Sequence, residues 1–471
     1  MTDDIVFLSA ATLARRIRAL EFSAEEVVEA HLAQIEAVNP LINAVVEVAA
    51  GAARAQAREC DRVLAGGRVL GPLHGVPFTV KDIFDAAGLV AAAGLVERAG
   101  YVPQSDAVAV ARLRGAGGIL LGKTNVPPGG GGGGSENPVY GRTNNPYALD
   151  RTTGGSSSGE AAIIAAGGSP LGLGSDSGGS LRLPAHFCGV TTLKPTSGRV
   201  PNTGALYLAG GLSDPRTQVG LLARWVQDLA LAFPLIAGPD WQDSGVVPMP
   251  IGDPESLEVH GLRLAYYADD GIMPPTAETR ATVERVARLL AEAGLRVEET
   301  RLPMIETSLE ITRRYWRMSQ LSGGEVEQLF HDWDAFRSAW LGFLRGYDLV
   351  LSPVSHGPAV VHGTMQDVDF SYTLPYSLTG WPVVVVRAGT APGGLPIGVQ
   401  LAAPPWREDV ALAAASVVEG QGGGWQQSAP LAEMRPAADP MRVARKETSD
   451  ESDGAASSGQ SGSRGEPTPA G

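Results

Sequence analysis

Only two of the 471 residues are cysteines, Cys60 and Cys188, and only four are lysines. Two cysteines exclude a disulfide framework and a four-cysteine zinc site, and leave two reduced, buried thiols as the expectation. The seven histidines show no H-E-x-x-H or comparable spacing, so neither a metal nor another cofactor is expected. No apolar run reaches the roughly 18 residues of a membrane helix. The start, Met1-Thr2-Asp3-Asp4, lacks the basic region and apolar stretch of a signal peptide. Cytoplasm is the default compartment, with no membrane partner. Positive charge is also scarce, 37 basic against 51 acidic residues, for a net charge of −14. That balance argues against nucleic acid as a partner, because phosphate contacts need clustered Lys and Arg.

The lysine shortage is informative in itself. Arginine supplies the ordinary surface cation, so Lys81, Lys123, Lys194 and Lys446 invite the question of what arginine could not do there. One answer is titration: a desolvated lysine loses its proton near neutral pH, and arginine does not.

What is present fits a large globular chain. Its 44% hydrophobic residues are enough for a substantial core, and its length fits two or three average domains or one large α/β domain. Residues 1–65 read as a helical segment packing on that core. Ser23 and Glu26 form a capping-box pattern ahead of Val27, Val28, Leu32, Ile35 and Val38 at helical spacing. Asn39-Pro40 is expected to stop that helix, and a further Ala-rich helix to end at Gly66-Gly67. Residues 66–425 read as the main domain, with a distinctive stretch at about 70–200. There, short apolar runs (Val76–Val80, Gly118–Leu121) alternate with glycine- and serine-rich loops. Further on, helices (Trp225–Ile236, Thr276–Ala293) alternate with strands (Leu262–Tyr267, Leu295–Glu298, Leu349–Ser352, Val383–Arg387, Ile397–Leu401). This alternation predicts a single large α/β domain, a mixed central sheet covered by helices on both faces. Residues 426–471 are too poor in apolar side chains to offset ordering entropy and read as a disordered tail.

Two motifs match formally and fail on context. Gly117–Thr124 fits G-x-x-x-x-G-K-T, but Ile119–Leu121 reads as the strand itself and the preceding residues as a helix, the reverse of a phosphate loop. Gly155–Gly159 fits G-x-S-x-G around Ser157, but no apolar strand precedes it, and none of His186, His260, His331, His356 and His362 has a diagnostic context.

Three segments stand out together: Gly75-Val76-Pro77-Phe78-Thr79-Val80-Lys81-Asp82, Gly154-Gly155-Ser156-Ser157-Ser158-Gly159-Glu160, and Gly172 through Ala185, which contains Gly178-Gly179-Ser180-Leu181-Arg182. In them the sequence resembles the amidase signature family. Gly122–Asn125, Tyr140–Pro146, Arg224 with Asp228-Leu229, and Gly394–Gln400 look like further family segments, so the likeness spans roughly residues 5–425.

The resemblance implies the amidase signature fold and hydrolysis of a carboxamide C–N bond. It implies a triad of Lys81, Ser156 and Ser180, which lie 75 and 24 residues apart. Ser180 would attack the amide, Ser156 would relay its proton, and Lys81, uncharged through burial, would receive it. Ser177, Gly178, Gly179 and Ser180 would supply oxyanion N–H groups, and Gly130 would lie at the substrate. Asp176 and Arg182 would support the turn, and the Gly155–Ser156 peptide would be cis. The partner would be a small-molecule amide, and the resemblance leaves room for a homodimer.

The chain departs from the family pattern where Pro127-Pro128 is followed by six glycines, Gly129–Gly134, in place of side chains that line the substrate pocket. Ser158, Ser177, Thr192 and Ser377 depart too, and a left-handed backbone at Thr192 would be strained. Two alternatives follow: a subunit resembling the glutamine-dependent amidotransferase component that feeds ammonia to a partner, and a weakened amidase-fold binding protein.

Overall fold

Period-two alternation in the central strands sets the layers. In the strand Leu349–Pro353, Leu349 and Leu351 face one apolar cluster and Val350 faces another. Val384 and Val386 against Val383, and Leu264 against Ala265, divide the same way. Successive side chains of a strand point to opposite faces, so the sheet is buried on both. One face packs on helices Val226–Ile236, Ala277–Glu292 and Glu408–Gly420. The other packs on the aromatic helix Gly323–Phe343, through Trp333, Phe336 and Trp340.

The computed structural model describes residues 5–206 and 215–427. The tail expected over 426–471 lies, from residue 428 on, outside the described residues. In chain order the strands are β1 (Val45–Val48), β2 (Pro77–Lys81), β3 (Ile119–Thr124), β4 (Glu136–Asn137), β5 (Gly141–Arg142), β6 (Leu171–Asp176), β7 (Thr191–Lys194), β8 (Gln218–Ala223), β9 (Arg263–Tyr266), β10 (Arg296–Glu299), β11 (Leu349–Pro353), β12 (Val383–Thr390) and β13 (Pro396–Ala402). Among the described residues β4 and β5 form a separate hairpin, and the rest make one sheet in the order β1-β3-β2-β6-β8-β7-β12-β13-β11-β9-β10. β2 runs parallel to β3 and β6, and β9 to β10 and β11; the remaining pairs are antiparallel. The expected single α/β domain with a mixed, doubly covered sheet is what the structure holds. No helix among the described residues is long and apolar enough to cross a membrane.

Three local expectations need correction. The helix opened by the Ser23 capping box runs through Pro40 to Ile42 and ends at Asn43, whose backbone is left-handed (φ 47°). Pro40 sits in the last turn, where it removes a single helix hydrogen bond, and the Asn39 side chain accepts from the N–H groups of Ala44 and Val45 beyond the helix end. Residues 45–48, read as part of a helical segment, form β1, an edge strand antiparallel to β3. Four residues are too few for their alternation to register against helical neighbours. Thr192 is an ordinary strand residue of β7 whose hydroxyl donates to the Leu221 carbonyl, so no strain arises there.

The phosphate-loop pattern also resolves. Gly122-Lys123-Thr124 lies inside β3, after the helix Val108–Gly115, and Lys123 is buried in an ion pair with Asp82 at 3.0 Å.

Candidate active site

β2 and β6 are parallel neighbours, with Thr79 opposite Gly172 and Val80 opposite Leu173. Their carboxyl ends therefore emerge side by side, where open α/β sheets place their ligand crevices. Lys81 closes β2, and Ser175-Asp176 closes β6. The helix Ser158–Ala165 lies across these strands and is buried at every residue. Two glycines of β6 make room for it: a Cβ on Gly172 would come within 2.0 Å of Glu160 Oε2, and one on Gly174 within 2.7 Å of Ser157 Oγ.

The segment leading into that helix, just ahead of its N-cap Ser157, brings Ser156 to Lys81. The Lys81 amine is fully buried and donates to Ser156 Oγ at 2.7 Å and to Ser175 Oγ at 2.9 Å. Burial lowers it from 10.5 to about 7, against the opposing pull of the Asp176 and Glu160 carboxylates. The Gly155–Ser156 peptide is cis.

Ser180 begins the next segment and is half-buried. The Ser157 N–H donates to its carbonyl at 3.0 Å, which ties the two serine segments together. Its hydroxyl makes no hydrogen bond to Ser156 in this structure. It faces a cavity of about 620 Å³ lined by the glycine run, Ser177, Gly178, Arg216, Trp316 and Phe370. Gly130 lies on the floor: a Cβ there would meet Ile83 at 2.9 Å and the Lys81 amine at 3.9 Å. Gly133 is held flat against Met365 and Phe370, where a Cβ would approach to 2.6 and 2.7 Å. The glycine run thus forms a wall of backbone.

Asp176 organises the turn that carries Ser180. Its carboxylate accepts from the N–H groups of Gly179 (2.8 Å) and Leu181 (3.0 Å) and from Arg182 Nη2 (2.8 Å) and Nε (3.0 Å). Arg182 donates in turn to the Thr373 carbonyl and to Ser377 Oγ, so the serine that departs from the family pattern serves as an acceptor. The Gly179 N–H is committed to Asp176, and Gly179 is absent from the cavity wall that Ser177, Gly178 and Ser180 help form. The Ser177 hydroxyl is hydrogen-bonded to that of Thr217.

Burial alone would raise the Asp176 carboxyl, but Arg182 and the turn N–H groups outweigh it and hold it at about 2, below the usual 3.8. A depressed carboxylate stabilises the fold fully above its ordinary value, and the contribution is lost as pH falls through the folded value, here from 3.8 toward about 2. Asp176→Asn leaves the Arg182 guanidinium buried without its counter-charge, so a stability loss of about 3–5 kcal/mol is expected in denaturant melts at neutral pH.

Ser175, as close to Lys81 as Ser156 nearly is, was not singled out in the sequence; its position one residue before Asp176 was the available sign. The Ser157 hydroxyl donates to the Ser175 carbonyl, and among the described residues no histidine hydrogen-bonds to it. His186 is buried with both ring nitrogens engaged, Nδ1 accepting from the Gly398 N–H at 2.7 Å and Nε2 at 2.9 Å from the Gly357 carbonyl. His362 lines the cavity, with Nε2 at 3.3 Å from the Leu149 carbonyl.

A large mixed-sheet α/β scaffold that sets a buried lysine and two hydroxyls beside a serine open to a cavity defines a hydrolytic enzyme. The Amidase family pattern matches residues 26–327 and 312–412, and the chain belongs to the amidase signature family. It is accordingly a hydrolase of amide C–N bonds. It is 33% identical over 465 residues to an acylamidase of Rhodococcus erythropolis, covering 88% of this chain and 95% of the relative. It is 34% identical over 456 residues to an indoleacetamide hydrolase of Bradyrhizobium diazoefficiens, covering 88% and 86%. The solved structure of 6-aminohexanoate cyclic dimer hydrolase superimposes with a TM-score of 0.79 at 27% identity, covering 88% of this chain and 97% of that one.

Proposed function

We propose that the chain hydrolyses a small carboxamide through an acyl-enzyme on Ser180, with Ser156 as proton relay and Lys81 as base. The observation that carries this reading is the fully buried Lys81 amine 2.7 Å from Ser156 Oγ, directly behind Gly130 in the wall of the cavity that Ser180 faces. A serine hydroxyl becomes nucleophilic when a positioned base takes its proton. With Lys81 near 7, a large share is uncharged at neutral pH. The neutral amine keeps an N–H on Ser175 and turns its lone pair to the Ser156 hydroxyl. Ser156 then accepts the Ser180 proton as the Ser180 oxygen bonds to the amide carbon. Catalytic hydrogen bonds commonly tighten only once substrate is bound, and the Ser180–Ser156 link is expected to form at that stage.

The tetrahedral oxyanion is met by backbone N–H groups of Ser177, Gly178 and Ser180, each such donor contributing about 3 kcal/mol or more. The relay runs back to protonate the leaving nitrogen, the C–N bond breaks, and ammonia or an amine departs. Water, deprotonated through the same relay, releases the acid. The Trp316 and Phe370 rings give the cavity an apolar side, and Glu136, Arg142, Arg216 and Asp367 give it a charged one.

A fluorophosphonate probe tests the assignment: peptide mapping is expected to place the label on Ser180. Label elsewhere, or none on folded protein, contradicts it.

A further inference from the structure

Glu160 has no part in the chemistry above, yet it is fully buried against the same strands as Lys81. Its carboxylate accepts from Thr79 Oγ1 of β2 at 2.7 Å and from Thr124 Oγ1 of β3 at 3.0 Å, and it lies over Gly172 of β6. Thr79 and Lys81 are two residues apart on one strand, so their side chains share a face. Glu160 and Lys81 are thus neighbours under the first turn of the helix Ser158–Ala165, which Ser156 precedes by two residues.

The surrounding charges are otherwise paired. Lys123 of β3 pairs with Asp82, and Glu47 of β1 faces both. Asp176 of β6 pairs with Arg182, with Lys194 of β7 close by. Lys81 and Glu160 differ from these. Among the described residues Lys81 hydrogen-bonds to two serine hydroxyls and Glu160 to two threonine hydroxyls, and neither bonds to a group of opposite charge. Two ionisable groups buried this near each other, with Asp176 also acting on the lysine and Lys123 on the carboxyl, interact and titrate as a coupled pair.

We infer that Glu160 is a positioning residue that acts through Lys81: the two groups share their protons, and the carboxyl's charge sets the pH at which the amine becomes free to act as base. The inference rests on Lys81 being that base. Burial lifts Glu160 to about 8, so near neutral pH only a part of it is ionised, and that part favours a proton on the amine. As it ionises it pulls the Lys81 equilibrium upward, and the deprotonation of Lys81 is spread over a wider pH range than one isolated group would show.

The test is the acid limb of kcat/KM against pH in wild type, Glu160→Gln and Thr124→Val. Gln removes the charge and keeps hydrogen-bonding partners for both threonines. Its limb is expected to steepen and move down by at least about half a pH unit. Thr124→Val removes one donor to the carboxylate, keeps it uncharged to higher pH, and should move the limb the same way by less. It alone decides if the glutamine variant does not fold. A lower plateau with an unmoved limb in the folded variants means a purely structural carboxyl and overturns the inference. If the wild type has no acid limb, the base assignment itself fails; a wild-type limb that is absent from Lys81→Met but unmoved by the other two variants refutes this inference alone.

Discussion

Ser180→Ala is expected to lower kcat/KM for amide hydrolysis by roughly 10⁴- to 10⁶-fold while the folded protein remains. The size follows from the position of the hydroxyl. Ser180 is the half-buried hydroxyl on the turn organised by Asp176, and it faces the cavity beside Gly178. Removing one oxygen there abolishes the acyl-enzyme, and water has no equally placed substitute. The fold should be indifferent to the change, because the hydrogen bonds that hold the turn come from backbone N–H groups and from Arg182. Steady-state assays on an amide panel, with melting temperatures measured alongside, check both halves. Turnover within tenfold of wild type would remove Ser180 from the mechanism.

The second large effect belongs to Lys81. Lys81→Met keeps the length and volume of the side chain and removes the amine, so the rate should fall by roughly 10²- to 10⁴-fold, the usual contribution of a positioned base. Stability should move the other way or not at all. Lys81 is 0% exposed, and burial of an ammonium opposes folding at every pH where the unfolded lysine carries a proton. With the folded value lowered from 10.5 to about 7, that opposition is largest below about 7 and fades as pH rises toward 10.5. The methionine variant is therefore expected to melt at or above the wild-type temperature at neutral pH, an activity-for-stability exchange common at catalytic sites. A large loss of stability with little loss of rate would make Lys81 a structural residue.

The sequence foretold the framework better than its joints. Strand and helix periods placed the central sheet because its strands are buried on both faces and read as continuous apolar runs. β1 escaped because four residues flanked by helices carry no such run. Lysine scarcity singled out Lys81, Lys123 and Lys194, and all three are fully buried, whereas Lys446 lies outside the described residues. Scarcity alone did not separate an amine set against hydroxyls (Lys81) from one paired with Asp82 (Lys123) or one donating to the Pro195 carbonyl (Lys194). That distinction is tertiary. So are the second serine on Lys81 and the Glu160 carboxyl between two threonines. Each depends on how β2, β3 and β6 lie against one another and against the crossing helix, and no spacing along the chain carries that information.

The glycine run illustrates the opposite case. Six consecutive glycines suggest a mobile, featureless loop, yet two of them fill positions that other residues do not fit. Gly130, at φ 70°, closes over Ile83 beside the lysine, and Gly133 lies flat on Met365 and Phe370. The wall is shaped by close approach of backbone rather than by side chains.

The most direct measurement is the rate at which a fluorophosphonate labels Ser180 as a function of pH, since phosphonylation needs the deprotonating relay and no leaving-group acid. The rate should rise with pH and level off with a midpoint near 7, the value to which burial brings Lys81. A midpoint near the ordinary lysine value of about 10.4, or a rate flat from about pH 5 to about pH 9, would contradict an uncharged lysine as the base.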